Sequence, residues 1–154
     1  MHFRITGLPA EPFAELFTLS DEALAERHAM RVVADQPHGY PCRVSLTDAE
    51  PGQSLILLNF EHHPVGTPFR SSYAIYVREG EEQYDEVDDV PDQLRRRLLS
   101  VRGFDEQGML RDADVVQGTA LEPLIDRLFA DARVSYLHIH IARPGCYAAR
   151  VDRA

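Results

Sequence analysis

Two histidines, His138 and His140, stand two positions apart in the stretch YLHIHIARPGC, residues 136–146. Alternate side chains of a strand point to the same face, so both imidazoles would share one face if this stretch is a strand. An imidazole titrates near neutrality, and either ring could therefore act as a general base. Two such rings with Cβ atoms about 7 Å apart could also bind one divalent metal ion. The pair is predicted to be the catalytic or binding centre.

A second histidine pair ends the stretch SLILLNFEHH, whose continuous apolar residues predict a strand buried on both faces. A metal held by His138 and His140 would need a third ligand from elsewhere, and His62, His63 and Glu61 are the candidates. We therefore predict His62 beside the other two rings, either as the third ligand of a zinc or iron ion or in a metal-free pocket. The structural alternative is that these rings are half-buried and hydrogen-bonded to backbone or carboxylate.

All sixteen basic side chains are arginine, because the chain has no lysine. This excludes Schiff-base lysine chemistry, lysine-bound pyridoxal phosphate and a P-loop nucleotide site. A guanidinium binds carboxylate or phosphate in bidentate fashion. Arg43 and Arg70 lie near predicted strand ends, where a groove would open. A small anionic molecule would then be bound by Arg70, Arg43, His62 and Tyr147, with His138 and His140 as the catalytic candidates.

The net charge of −9 comes mainly from one segment, residues 79–92, which contains eight acidic residues and no arginine. The rest of the chain is nearly neutral and has no basic stripe, so we expect no nucleic-acid partner. The longest apolar run has five residues, far short of a membrane span, and the N-terminus lacks a signal-peptide pattern. We expect a cytoplasmic protein in which Cys42 and Cys146 are free thiols.

The elements that position these residues are short strands, joined by connections short enough for hairpins, and a few helices. This pattern predicts one α+β domain over residues 1–154, a mainly antiparallel β-sheet with two to four helices packed on one side. The clearest helix, at residues 119–131, carries an apolar stripe of leucine and isoleucine. We expect this stripe to pack on Leu137, Ile139 and Ile141, leaving Tyr136, His138 and His140 on the other face.

A turn at Pro144–Gly145 would pair His140 with Ala149 and His138 with Val151. Tyr147, Ala149 and Val151 would then join the histidine face, and Cys146 would lie on the opposite one. A different turn length would reverse this assignment, since a shift of one residue moves every side chain to the other face.

Several stretches resemble a bacterial family of unknown function, DUF1203. They are FRITGLP, YPCRVSLTDAEPG, LLNFEHHPVGTPFRSSYAIYVREG, LRRRLLSVRGFD and YLHIHIARPGCYAARVDR, which together run across nearly the whole chain. The resemblance implies a single-domain architecture and no specific activity. It implies that the positions typical of the family are His62, Arg70, His138, His140 and Cys146, and that His63 departs from the pattern.

We therefore expect a small cytoplasmic protein that binds a small anionic metabolite at a sheet face lined by His and Arg. Catalysis by His138 or His140, or a divalent metal held by His138, His140 and His62, would fit the same residues. The alternative is a non-catalytic module that uses this face to bind another protein or to form a homodimer, since aromatic residues such as Tyr136 and Tyr147 are common in interface cores.

Overall fold

A computed structural model describes residues 1–154. The strands are β1 (Phe3–Thr6), β2 (Ala29–Val33), β3 (Ser54–His63), β4 (Ser71–Val77), β5 (Asp85–Val87), β6 (Leu98–Phe104), β7 (Leu110–Gln117), β8 (Tyr136–Ile141) and β9 (Tyr147–Arg153). The α-helices are α1 (Asp21–Glu26), α2 (Asp92–Arg95) and α3 (Leu121–Phe129), and 3-10 helices span Glu11–Thr18 and Gly118–Ala120.

The strands form two sheets in which every neighbouring pair is antiparallel. The larger sheet has the order β5-β1-β9-β8-β6-β7, and the smaller one has the order β2-β3-β4. The predicted class, α+β with a mainly antiparallel sheet and a few helices, is confirmed. The division into two sheets was not predicted, and it decides where the site lies because β3 and β8 belong to different sheets.

Helix α3 covers one face of the larger sheet, as its apolar stripe predicted. Leu121, Ile125 and Leu128 are buried in the largest apolar cluster, and they share that cluster with the aliphatic side chains of β8, which are Leu137, Ile139 and Ile141. The histidines of β8 are therefore on the face turned away from α3, since strand side chains alternate.

The pairing of β8 with β9 differs from the predicted register. Ile141 is hydrogen-bonded to Cys146, so the turn contains four residues, 142–145, with Gly145 at a φ of 84°. A bulge follows, and the partners are His140 with Tyr147 and His138 with Arg150. Tyr147 is on the histidine face, but Ala149 and Val151 pack in the α3 core, which corrects their assignment. The cause is the bulge between the pairs of Ile139 and His140, because the extra residue moves every later side chain of β9 to the other face, whereas the longer turn alone would keep Ala149 opposite His138.

The C-terminal end of β3 is irregular. Its pairing with β4 shifts between Glu61 and His63, so that His62 is the extra residue of a bulge. A bulge bends its strand and re-aims the side chain it displaces. None of the helices combines the length and the apolar character that crossing a membrane requires.

Candidate functional site

His138 and His140 lie side by side on the face of β8 that points away from α3, as predicted. Their ring centroids are 6.5 Å apart, and the residues are only 3% and 2% exposed. The ring of Tyr147, from the paired strand β9, lies 5.0 Å from His138 and 5.9 Å from His140. The centre of the candidate site is thus a buried group of aromatic rings rather than an open groove.

The bulge in β3 brings His62 onto this group. Its ring centroid lies 5.1 Å from that of His140 and 6.1 Å from that of His138, and it stacks on Tyr147 at 5.0 Å with an interplanar angle of 14°. The sequence placed His62 near the two histidines, and the structure confirms this placement. We call His62, His138, His140 and Tyr147 the histidine cluster.

His63 has a structural position beside the cluster. Its Nδ1 donates to the carbonyl of Phe69 at 2.9 Å, and its Nε2 is hydrogen-bonded to the hydroxyl of Tyr136 at 2.6 Å. The ring also contacts Phe104, with centroids 4.2 Å apart. Both nitrogens are therefore occupied by hydrogen bonds. His63, a candidate for the third metal ligand in the sequence analysis, is not available for that role.

Burial keeps the three cluster histidines neutral at physiological pH. It lowers the pKa of His138 to about 2, of His140 to about 3 and of His62 to about 4. Neighbouring histidines lower the pKa of His138 further, and Arg102 lowers those of His62 and His140. A general base works best with a pKa near the operating pH, so the free rings are poorly tuned for that role.

Two ring nitrogens of the cluster lack a partner. His140 Nδ1 donates to the carbonyl of Gly145 at 2.9 Å, whereas Nδ1 of His62 and Nδ1 of His138 are buried without any hydrogen bond. A buried polar atom without a partner costs about 1–3 kcal/mol. Native proteins tend to keep such an atom only where it has a role, such as binding a ligand.

Arg102 is one of two arginines that lie opposite His138 on its neighbouring strands, and the sequence did not identify it. It lies on β6 directly opposite His138 and is half-buried. Its single hydrogen bond is a weak one to Ser100 Oγ at 3.4 Å, and it has no acidic partner. The neighbouring Arg150, in contrast, is paired with Asp152 at 2.8 Å and lies over the ring of Tyr136. Finding Arg102 required the strand order, because 36 residues separate it from His138.

The two arginines predicted to bind the anion are engaged elsewhere. Arg70 forms a bidentate ion pair with Glu61, at 3.1 and 3.0 Å, on the exposed surface. Arg43 is buried and donates from Nε to the carbonyl of Tyr147 at 2.7 Å, rather than to anything on the ring side of that residue. Neither guanidinium hydrogen-bonds the histidine rings. The contacts of Arg70 and Arg43 therefore do not support the prediction that they bind an anion at this face.

The predicted metal set of His62, His138 and His140 is not arranged as a metal centre. No three His, Cys, Asp or Glu side chains are placed to hold a metal ion. The ring centroids of the three histidines are 5.1 to 6.5 Å apart, and their nitrogens do not form a group of ligands directed at one ion. Arg102 and Arg43 act on His140 as nearby positive charges, which would repel a dication.

None of the larger cavities of the molecule borders the three histidine rings. Five cavities of about 250–370 Å³ border other parts of the molecule, and none of them is lined by His62, His138 or His140. Small-molecule sites commonly measure about 300–1,000 Å³. None of these cavities therefore places a whole metabolite against the rings of His62, His138 and His140.

Comparison with known proteins identifies a family and nothing closer. The model of the family described as "Protein of unknown function (DUF1203)" matches residues 39–153, which include the cluster, Arg102 and Arg43. A search of curated proteins and a search of solved structures found no similar protein. The resemblance seen in the sequence is confirmed, and the chain belongs to the DUF1203 family.

Proposed function

We propose that this protein binds a small oxyanion, the carboxylate or phosphate group of its ligand, at the histidine cluster. The observation that carries the proposal is the half-buried Arg102 guanidinium, which has no acidic partner and lies opposite His138. His138, on the paired strand, and His62, on which the Arg102 charge acts, each have a buried imidazole nitrogen without a hydrogen bond. One anion would satisfy all three groups.

The physical argument is one of charge and hydrogen bonding. A partly desolvated cation is stabilised by a counter-ion, and a guanidinium pairs with oxyanions through two parallel N–H donors. A neutral imidazole has one N–H donor, so His62 and His138 can each donate to an anion oxygen when the proton is on Nδ1. A dication would instead need lone pairs from at least three ligands directed at one point, and no group of His, Cys, Asp or Glu side chains is arranged in that way.

The low pKa values favour binding rather than base catalysis. With pKa values of about 2 and about 3, His138 and His140 are neutral at pH 7. The single N–H of His140 donates to the carbonyl of Gly145, so His138 and His62 are the rings that can donate to an anion. A bound anion would favour their charged forms and raise both pKa values. The proposed role of the cluster is therefore recognition of an anion by neutral donors and one guanidinium.

The alternative, a protein-interaction or dimerisation surface on this face, has less support. A standard interface buries about 800 Å² on each partner. Here the end of β3 already covers the face, and His138 and His140 are almost fully buried within the chain. A protein partner would have only the rim of the cluster to contact.

A thermal-shift titration with inorganic phosphate tests the proposal. At ten times the dissociation constant, phosphate should raise the Tm by about 3–6 °C. Arg102→Gln should lose most of this effect. Arg133→Gln, a control at an exposed arginine paired with Asp131, should retain it. An equal response of all three proteins, or none in the wild type, would refute the proposal. Stabilisation by zinc but not by phosphate would make the cluster a metal site instead.

A further inference from the structure

A cavity of about 370 Å³ lies between the smaller sheet and the β8–β9 turn. It shares no lining residue with the histidine cluster, although Cys146 in its wall precedes Tyr147 directly in the chain. Half of its lining is apolar or aromatic, and Tyr73 at the wall is 46% exposed. The lining residues that matter here are Arg43, Leu57, Tyr73, Tyr76, Arg97 and Cys146.

Arg43 brings an unbalanced charge to this cavity. The residue is 1% exposed, and its guanidinium donates to the carbonyls of Tyr147 and Pro41 and to Sγ of Cys146, at 2.8 Å for the last. It forms no ion pair with a carboxylate. A buried charge is normally paired, because removing an ion from water costs several kcal/mol. These three acceptors use only three of the five N–H donors of Arg43.

The other charged groups at the cavity do not balance Arg43. Arg97 is itself neutralised by Asp48, at 2.9 and 3.1 Å. No acidic residue lines the cavity. The remaining titratable groups of the lining are His38, Tyr73, Tyr76 and Cys146. The cavity therefore has positive character at its polar end and aromatic character on its walls.

We propose that this cavity is a second binding site, for a small carboxylate with an apolar or aromatic body. The carboxylate would accept hydrogen bonds from the free N–H groups of Arg43, and the body would pack on Leu57, Tyr73 and Tyr76. The volume is within the usual range for small-molecule sites, and a mostly apolar lining with a few polar groups is their usual composition. This site is independent of the oxyanion site at the histidine cluster.

Benzoate and benzamide are a matched pair of probes, because they share the ring and differ in charge. At ten times its dissociation constant, benzoate should raise the Tm of the wild type by about 3–6 °C. Benzamide at the same concentration should have less than a third of the effect. Gly39 and Ala74 also line the cavity, and in a nuclear magnetic resonance titration their backbone amides should shift with benzoate. Equal effects of both probes, no effect of either, or shifts confined to the histidine cluster would overturn the proposal.

Variants assign the site and separate it from the oxyanion proposal. Arg43→Gln should abolish the benzoate effect, and Tyr73→Ala, at an exposed wall residue, should weaken benzoate binding at least threefold. Arg102→Gln should leave benzoate binding unchanged while it impairs phosphate binding. If Arg43→Gln does not fold, the probe pair and Tyr73→Ala still decide the matter. An unchanged benzoate affinity in Tyr73→Ala, with benzoate bound away from Gly39 and Ala74, would refute the site.

Discussion

The histidine cluster and the Arg43 cavity both lie where the smaller sheet meets β8 and β9, but the two regions use the interface differently. In the cluster, rings from β3, β8 and β9 fill the space at centroid distances of 5.0 to 6.5 Å. In the cavity, the side chains of the smaller sheet and of the β8–β9 turn do not fill the space between them, and about 370 Å³ is left open. Each region has one arginine without an acidic partner, Arg102 or Arg43.

The difference shows how packing selects what a cation can bind. Beside Arg102, the neighbours are titratable imidazoles and no larger cavity is present, so we propose a single charged group as the ligand. Beside Arg43, the neighbours are apolar and aromatic, so a larger body could be buried with its charge. Both regions have an arginine without an acidic partner. The side chains around that arginine differ, and we expect this difference to set the size of the ligand and the response to pH. The following predictions test this distinction.

The largest expected effect is a loss of stability in mild acid that comes from the cluster alone. Histidine in an unfolded chain has a pKa of about 6.5, while His138 and His140 in the fold have pKa values of about 2 and about 3. At a pH between the folded-state and unfolded-state pKa values, these histidines are protonated in the unfolded chain and neutral in the fold. The contribution of these two rings to the free energy of unfolding is therefore fully present above pH 6.5. Below pH 6.5 the free energy of unfolding falls by about 1.4 kcal/mol per pH unit for each ring.

Urea denaturation between about pH 7.5 and pH 5 measures this slope. His138→Phe removes one titrating ring and keeps an aromatic side chain, so its slope should be smaller by about 1.4 kcal/mol per pH unit. The Arg43 cavity should add nothing to the slope, and Tyr73→Ala should therefore reproduce the wild-type dependence. A flat profile in the wild type would show that the rings are not held neutral.

A hydroxyl deletion at each region should have unequal effects. Tyr136→Phe removes the hydroxyl that bonds Nε2 of His63 at 2.6 Å and leaves that buried nitrogen unpaired. The free energy of unfolding should fall by about 1–3 kcal/mol. Tyr73→Phe at the cavity wall removes an exposed hydroxyl with no hydrogen bond and should change stability by less than about 0.5 kcal/mol. Similar losses of unfolding free energy in both variants would mean that the two regions are equally well packed. That result would contradict the difference in packing described above.

Local pattern in the sequence was sufficient for the parts of the site that lie on one element. The alternation in residues 136–141 placed His138 and His140 on one face, and the stripe at 119–131 identified the opposite face as the one that α3 covers. These predictions needed only the strand and helix periods. The second histidine pair, at the end of an apolar run, also led to the correct placement of His62.

Long-range pairing and turn geometry were beyond the sequence. Arg102 faces His138 only because β6 pairs with β8, and nothing local to either strand specifies that order. The bulge between the pairs of Ile139 and His140 moved Ala149 and Val151 off the histidine face. Arg43 was predicted to bind an anion with the histidines, but the backbone at Tyr147 separates it from their rings. Such features depend on which segments meet, and a single sequence does not state this.

A smaller effect is expected from Arg102→Gln, and it should depend on pH. The Arg102 charge lowers the pKa values of His62 and His140. Removing the Arg102 charge raises the folded-state pKa values of His62 and His140 toward the pKa of histidine in the unfolded chain. The free energy of unfolding therefore falls less in acid. The variant should match the wild type near pH 8 and be more stable by less than about 1 kcal/mol near pH 5, because the charge is partly screened. Urea denaturation at the two pH values measures this, and a variant that is less stable in acid would contradict it.

The smallest effect is expected at Arg70, which belongs to neither region. Its bidentate pair with Glu61 is exposed on both sides, with 58% and 42% of the side chains accessible. Exposed pairs contribute about 0–1 kcal/mol, so Arg70→Gln should change the free energy of unfolding by less than about 1 kcal/mol. Phosphate and benzoate should bind this variant as they bind the wild type, since Glu61 already occupies the guanidinium. If Arg70→Gln abolished phosphate binding, the anion would be bound at the exposed end of β3, and Arg102 would lose its assigned role.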